Sequence, residues 1–127
     1  MNDPDARVLD AAVLDELRAS VEGDSAFVVH LVEAYLADGA QHVADVATAL
    51  DTVDAAALVR PAHTLKSSSA TVGATRLAAM ARELEMDGRA GTLEAAAAGQ
   101  RIASVRAAWE EASAALRAWV AEEGQRG

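Results

Sequence analysis

The sequence predicts an all-α fold, specifically an antiparallel four-helix bundle with an additional short N-terminal helix. Hydrophobic residues make up 52% of the chain, and many of them are alanine, the strongest helix former, whereas only 3% are aromatic. The chain has just two prolines, and β-branched residues do not alternate with polar ones as they would in half-buried strands. A chain of 127 residues suffices for one hydrophobic core, so we expect a single domain over residues 1–127.

Apolar periodicity and turn residues divide the chain into five predicted helices, at approximately residues 7–20, 24–51, 54–72, 74–88 and 92–122. The first helix is short and is expected to pack across one end of the bundle. Asp24 and Asp54 precede the second and third helices, where a carboxylate can cap free backbone N–H groups. Pro61 lies inside the third helix and predicts a bend just before His63, because proline removes a backbone donor.

The remaining helices are bounded by glycines. Gly73 is expected to end the third helix in a left-handed conformation, and the fourth helix is expected to end around residues 88–91. The last helix begins near Leu93 and carries apolar residues at helical spacing as far as Val120. Residues 122–127 are expected to fray.

The third helix carries the sequence AHTLKSSSATVG over residues 62–73, which combines a histidine, a lysine and small hydroxyl residues. At about 100° per residue, Ser67 lies about 40° from His63, Lys66 about 60° the other way and Ala70 about 20° away. The opposite side of this helix carries the residues expected to face the core, namely Leu58, Ala62, Leu65, Ser69 and Val72. The pattern predicts a helix that displays His63 to solvent among small neighbours.

Composition excludes several classes of function. The absence of cysteine removes disulfides, thiolate catalysis and cysteine–zinc sites, and His30 and His42 lack the spacing of metal ligands. A net charge of −9 argues against nucleic-acid and anionic-membrane partners. No apolar stretch is long enough to span a bilayer, and the acidic residues 1–5 are unlike a secretory signal. We therefore expect a cytoplasmic protein.

The chain resembles a histidine-containing phosphotransfer (HPt) domain, the intermediate carrier of multistep two-component phosphorelays. The residues that match the family motif are His63, Leu65, Lys66, Ser67, Ser68, Ser69, Gly73, Leu77, Leu84 and Glu85. Upstream matches are Asp24 and Phe27, which open a long helix, and Ala49 and Leu50, which precede a turn. The resemblance covers nearly the whole chain. One departure is Ser67, where most members have glycine.

The resemblance implies that His63 accepts a phosphoryl group from the aspartate of one receiver domain and passes it to the aspartate of another. The implied partners are response-regulator receiver domains and a hybrid histidine kinase. The chain itself is expected to hold no cofactor or metal, because Mg²⁺ belongs to the receiver. Glu85 matches a position that the family often uses near the imidazole, and Arg82 and Arg89 are further candidates for the same face.

The residues support this chemistry in their own right. A neutral imidazole is nucleophilic near pH 7, and in-line attack on phosphorus inside a partner's pocket requires a protruding side chain with small neighbours. Lys66 is expected to supply positive charge to the phosphoryl oxygens. The partner-binding face is expected to centre on His63 and to include Val59, Ser67, Ala70 and Glu85. Since the chain lacks a Walker-type nucleotide motif, we expect a carrier and not an enzyme.

Three alternatives stay open at this stage. The chain could be an HPt-like bundle that binds partners without being phosphorylated, acting as a scaffold. It could be a structural or ligand-binding bundle with an accidental motif match, in which case a large internal pocket is expected. It could also be one piece of a larger kinase, although the initial Met1 favours a free-standing protein. A monomer is expected, because four long helices complete one bundle.

Overall fold

The computed structural model describes residues 7–126, without the side chain of Arg126, and contains five helices joined by short turns. Helix α1 spans Ala11–Ser20, α2 Ser25–Asp51, α3 Ala55–Thr71, α4 Thr75–Ala90 and α5 Ala95–Arg126. Helix α3 packs on α2 and most extensively on α4, and α5 closes the ring against α2 and α4. The all-α bundle predicted from the sequence is confirmed, and no strand occurs in residues 7–126.

Leucine, valine and alanine side chains from all five helices form one continuous core. The largest fully buried side chains are Leu14, Leu58, Leu65, Leu77, Leu84 and Leu116. The five residues predicted to face this core, four in α3 and one at its C-cap, Val72, are all buried. Removal of apolar surface from water is the main force that fixes α3 in place, and this orientation turns the opposite face of α3 outward. None of the described helices has the length and apolar character needed to cross a membrane.

The predicted caps of α2 and α3 are present. The Asp24 carboxylate accepts a hydrogen bond from the Phe27 backbone N–H, and Asp54 accepts one from Ala57, at 3.1 and 3.0 Å. Each bond satisfies one of the backbone donors that a helix leaves free in its first turn. The two aspartates therefore fix where the long helices of the bundle begin.

Helix α1 begins at Ala11, not at residue 7 as predicted, because the preceding segment bonds elsewhere. The Arg7 carbonyl accepts hydrogen bonds from the Arg76 N–H at 2.8 Å and the Thr75 hydroxyl at 2.6 Å. The Asp10 N–H donates to the Gly73 carbonyl at 2.7 Å. Residues 7–10 therefore run along the turn between α3 and α4 instead of forming a helical turn.

Gly73 has a φ of 81°, the left-handed conformation predicted for it. A Cβ at this position would also lie 2.6 Å from the Asp10 carbonyl oxygen. Both the backbone conformation and the close approach of residues 7–10 require glycine here. The turn from α3 to α4 is consequently short, and the two helices lie side by side over most of their length.

Helix α5 differs from its predicted bounds at both ends. It begins at Ala95 instead of residue 92, and it continues to Arg126 where fraying from residue 122 was expected. The carboxylate of Glu123 is buried and accepts a 2.7 Å hydrogen bond from Arg18 of α1. This ion pair anchors the last turns of α5 to α1, which lies across that end of the bundle. The predictions for residues 1–6 and 127 lie outside the described residues.

Tyr35 connects three helices in the interior. Its hydroxyl shares a 2.7 Å hydrogen bond with the buried Ser69 of α3, and its ring lies 5.5 Å from that of Trp109 of α5. Burial raises the pKa of Tyr35 to about 12, so the phenol stays protonated. The shared hydrogen bond gives each of the two buried hydroxyls a partner. The Trp109 ring lies directly against Gly39, where any Cβ would collide with it. Small and aromatic residues thus set the spacing of α2 and α5.

Candidate functional site

Helices α3 and α4 approach each other closely where α4 carries Gly88. A Cβ at Gly88 would lie 3.0 Å from the Ala55 carbonyl oxygen and 3.1 Å from Cγ2 of Val59. Glycine therefore permits a helix separation that a larger residue would increase. Glu85 lies about one turn before Gly88 on the same side of α4, and this separation lets its carboxylate reach the outer face of α3.

His63 lies on that outer face, as its position on α3 predicts. Its side chain is 54% exposed, and its Nδ1 atom lies 3.0 Å from Oε2 of Glu85. Within the described part of the chain, no group bonds the second ring nitrogen, Nε2. The imidazole is thus held at one nitrogen and free at the other.

Glu85 is the centre of the site. Only 5% of this residue is exposed, and its two carboxylate oxygens have different partners. The Lys66 ammonium lies 2.6 Å from Oε1, whereas Arg89 donates to Oε2 from Nε at 3.0 Å and from Nη2 at 2.8 Å. Oε2 therefore bonds both the guanidinium of Arg89 and the imidazole of His63.

The Lys66 ammonium at Oε1, followed by the hydrogen bonds from Arg89, lowers the pKa of Glu85 from 4.5 to about 2. Burial acts in the opposite direction, and the bond to His63 adds a smaller lowering. Glu85 is consequently ionised at neutral pH and only accepts hydrogen bonds.

The ionised carboxylate determines the tautomer of a neutral His63. Because Glu85 has no proton to donate, the proton of their shared hydrogen bond is on Nδ1 of the imidazole. The lone pair of the neutral ring is therefore on Nε2, the nitrogen that no described residue bonds. The geometry presents a nucleophilic nitrogen on an exposed side chain and supports the opposite nitrogen with a negative charge.

The cluster carries a net positive charge although the chain as a whole carries −9. One carboxylate, Glu85, faces two cations, Lys66 and Arg89, so a neutral His63 leaves the group at +1. Lys66 is also the only lysine in the sequence. An anion that approaches Nε2 thus meets a locally favourable field within an acidic protein.

Ser67 and Ala70 are exposed beside His63, as their positions on the helix predict, and Val59 is half-buried where α3 meets Gly88 of α4. On the other side, a groove of about 380 Å³ separates α2 from α3, with Leu31, Ala34, Thr64 and Ser68 in its walls. It opens to solvent and does not form the large internal pocket that a ligand-binding bundle would contain. Phe27 of α2 and Met86 of α4 are also large apolar side chains that are exposed.

The sequence predicts Glu85 and Arg89 as candidates for this face but does not predict their pairing. The spacing of Glu85 and Arg89, four residues apart on one helix, is a signal that could have indicated an ion pair. Lys66 was expected to face a phosphoryl group, whereas here its ammonium contacts Glu85. Arg82 is exposed and has no bonded partner within the described residues. Residues 7–126 contain no group of three or more histidines and carboxylates able to hold a metal ion.

Comparison with known proteins places this geometry in a family. The family described as "Hpt domain" matches residues 30–119, which include His63, Lys66, Glu85 and Arg89. A search of curated proteins found no match. Among solved structures, the chain is similar to histidine-containing phosphotransfer protein B (HptB) from Pseudomonas aeruginosa PAO1. The two share 26% sequence identity and superpose with a TM-score of 0.79, over 92% of this chain and 97% of the other.

Proposed function

The chain belongs to the Hpt domain family and is a carrier in a phosphotransfer relay; on that basis we propose that His63 is the residue that carries the phosphoryl group. The observation that supports this assignment is the hydrogen bond from His63 Nδ1 to the ionised Glu85, which leaves the lone pair on Nε2 of an exposed ring. We further propose that the donor and the acceptor are aspartates of receiver domains.

In the proposed transfer, Nε2 of His63 attacks the phosphorus of a receiver phosphoaspartate in line with the leaving carboxylate oxygen. The N–P bond forms as the P–O bond breaks, and the receiver carboxylate leaves with the electron pair of that bond. Nδ1 keeps its proton, so the ring becomes positively charged. Glu85, 3.0 Å from Nδ1, stabilises this charge, as a buried carboxylate does for an imidazolium. Transfer to the next receiver is the reverse reaction.

The positive charge of the cluster favours the same step. The phosphoryl group brings negative oxygens to Nε2, and Lys66, three residues after His63 on α3, has its ammonium in the same cluster, 2.6 Å from Oε1 of Glu85. An ammonium beside these oxygens stabilises the charge that they carry during transfer. This role requires Lys66 to leave Glu85 or to bridge it and the phosphoryl group.

The surroundings of His63 suit a docked receiver. Ser67 and Ala70 are small and exposed, so a partner's pocket can close around the imidazole without meeting a bulky side chain. The Mg²⁺ and the remaining groups for the reaction are supplied by the receiver, and the chain acts as a carrier and not as an enzyme. A hybrid histidine kinase and response regulators are the proposed partners, and the proposed free state is a monomer.

Phosphate transfer from a phosphorylated receiver domain to the wild type and to His63→Gln tests the proposal. The wild type should acquire an acid-labile, base-stable label, and His63→Gln should acquire none while keeping its helical spectrum. His30→Gln is the matched control, because His30 is also an exposed histidine, on α2. Labelling of His63→Gln would contradict the assignment. No label on a folded wild type with a broad panel of receivers would favour the HPt-like scaffold instead.

A further inference from the structure

The two oxygens of Glu85 divide the cations of the site between them. Lys66 contacts Oε1 at 2.6 Å, and it is the only one of the three partners that does so. His63 Nδ1 and both nitrogens of Arg89 bond Oε2. Loss of the Lys66 contact therefore leaves every bond to Oε2 in place.

Phosphorylation of His63 would bring a second anionic group, the phosphoryl group, close to Lys66. A phosphoryl group carries more negative charge than one carboxylate and offers three acceptor oxygens. The Lys66 ammonium ends a flexible side chain and contacts Glu85 through Oε1 alone, so it can turn from Glu85 toward the phosphoryl oxygens. Glu85 itself is 5% exposed and would lose one of its two cations at the moment when the ring becomes positive.

Arg89 differs from Lys66 in both its tether and its bonding. It lies four residues after Glu85 on α4, so the same helix holds both partners. Two of its N–H groups bond the oxygen that also accepts from His63, and a planar guanidinium keeps such a geometry better than an ammonium does. Arg89 can thus hold Glu85 against the imidazole without Lys66.

We propose that Arg89 is a positioning residue for phosphotransfer: it keeps Glu85 bonded to His63 Nδ1 while the Lys66 ammonium moves from Glu85 Oε1 to the phosphoryl group. Lys66 is then the mobile cation of the site and Arg89 the fixed one. This inference rests on the proposed phosphorylation of His63. It assigns Arg89 no contact with the phosphoryl group, and its effect passes entirely through Glu85.

The test compares the wild type with Arg89→Ala and Arg89→Lys. The control is Arg106→Ala, which removes an exposed arginine of α5 that has no bonded partner within the described residues. Ring ¹⁵N spectra of His63 report the tautomer before phosphorylation. Exchange of the Nδ1 proton with water reports the Glu85 bond after phosphorylation. Transfer rates to and from a receiver are measured on the same samples.

Before phosphorylation, Arg89→Ala should keep the Nδ1–H tautomer, because Lys66 still holds Glu85. After phosphorylation, its Nδ1 proton should exchange faster than in the wild type, and the transfer rate should fall about fivefold, as expected for loss of a partly exposed ion pair. Arg89→Lys should recover part of the loss, and Arg106→Ala should match the wild type.

Two results would overturn the inference. One is an unchanged Nδ1 exchange rate and transfer rate in phosphorylated Arg89→Ala; the other is loss of the Nδ1–H tautomer in that variant before phosphorylation. Failure of the inference is distinguishable from failure of the proposed function. If only the inference fails, the wild type is still labelled at His63. If the proposed function fails, no variant is labelled and both proposals are wrong.

Discussion

Glu85 Oε2 and His63 Nδ1 lie 3.0 Å apart, although the two residues belong to different helices and are 22 positions apart in the sequence. The bond joins an exposed ring to a carboxylate that is almost fully buried. It therefore fixes both the orientation of the imidazole and the nitrogen that carries the proton.

Replacement of Glu85 by Gln should slow phosphotransfer about tenfold or more. An amide can donate as well as accept, so the neutral ring would no longer be confined to the Nδ1–H tautomer, and the positive charge of the phosphorylated ring would lose its counter-charge. Initial rates of transfer from a phosphorylated receiver provide the measurement. Glu33→Gln, at an exposed glutamate of α2, is the control. Equal rates for both variants and the wild type would show that Glu85 has no part in the transfer.

The contribution of Glu85 to stability should be lost only in acid. Its pKa is lowered from 4.5 to about 2 by Lys66, Arg89 and His63, so folding favours the ionised form. This contribution is fully present above pH about 4.5 and declines as the pH falls through about 2. Urea denaturation of wild type and Glu85→Gln from pH 2 to 7 should give a stability difference that is constant above about pH 5 and shrinks below it. A difference that stays constant down to pH 2 would argue against the ion pairs.

Ser67→Trp should impair phosphotransfer while the fold survives. Ser67 is exposed beside His63, and an indole there would keep a receiver from closing around the imidazole without disturbing the core. An acidic replacement, Ser67→Asp, should also impair transfer, because it brings negative charge toward the phosphoryl oxygens. Transfer rates and circular dichroism are measured together. Ala107→Trp, at an exposed position of α5, should transfer at the wild-type rate.

Gly39→Ala should destabilise the protein even though alanine is the better helix former. A Cβ at Gly39 collides with the Trp109 ring, so the packed ring must shift or α2 and α5 must separate. The expected loss is about 1–3 kcal/mol. Gly99→Ala is the control, because this α5 glycine faces open space, and it should gain up to about 1 kcal/mol from helix propensity. Thermal and urea unfolding measure both. A gain for Gly39→Ala would show that the ring moves aside freely.

Much of the fold could be predicted from the sequence, because the patterns that indicate helices and their ends are local. The apolar stripe of α3, the capping aspartates Asp24 and Asp54 and the left-handed Gly73 each depend on a few neighbouring residues, and each is present in the structure. The predicted start of α1 was wrong because residues 7–10 bond a distant turn. The predicted fraying of α5 was wrong because Glu123 pairs with Arg18, 105 positions away. No local pattern contains either contact.

The sequence predicted which residues form the site better than it predicted which of them bond to each other. Helical geometry placed His63, Ser67 and Ala70 on one exposed face, and the family resemblance pointed to Glu85. The pairing of Glu85 with Lys66 depends on the distance between α3 and α4. Gly88 permits a short distance, but helical periodicity does not indicate how far apart two helices lie. The hydrogen bond between Tyr35 and Ser69 was missed for a similar reason, since helical periodicity placed Ser69 on the core-facing side of α3 without indicating a partner.

Every charged or titratable group of the site lies between residues 63 and 89, on two consecutive helices joined by a short turn. The entropy cost of closing such a short loop is low, and contacts of low sequence separation form early in folding. The hairpin of α3 and α4 is therefore a local unit within the bundle. Local unfolding of α1, or of the far end of α5, would leave the imidazole and its carboxylate together. Separation of α3 from α4 would break the bond between His63 and Glu85 in a single step.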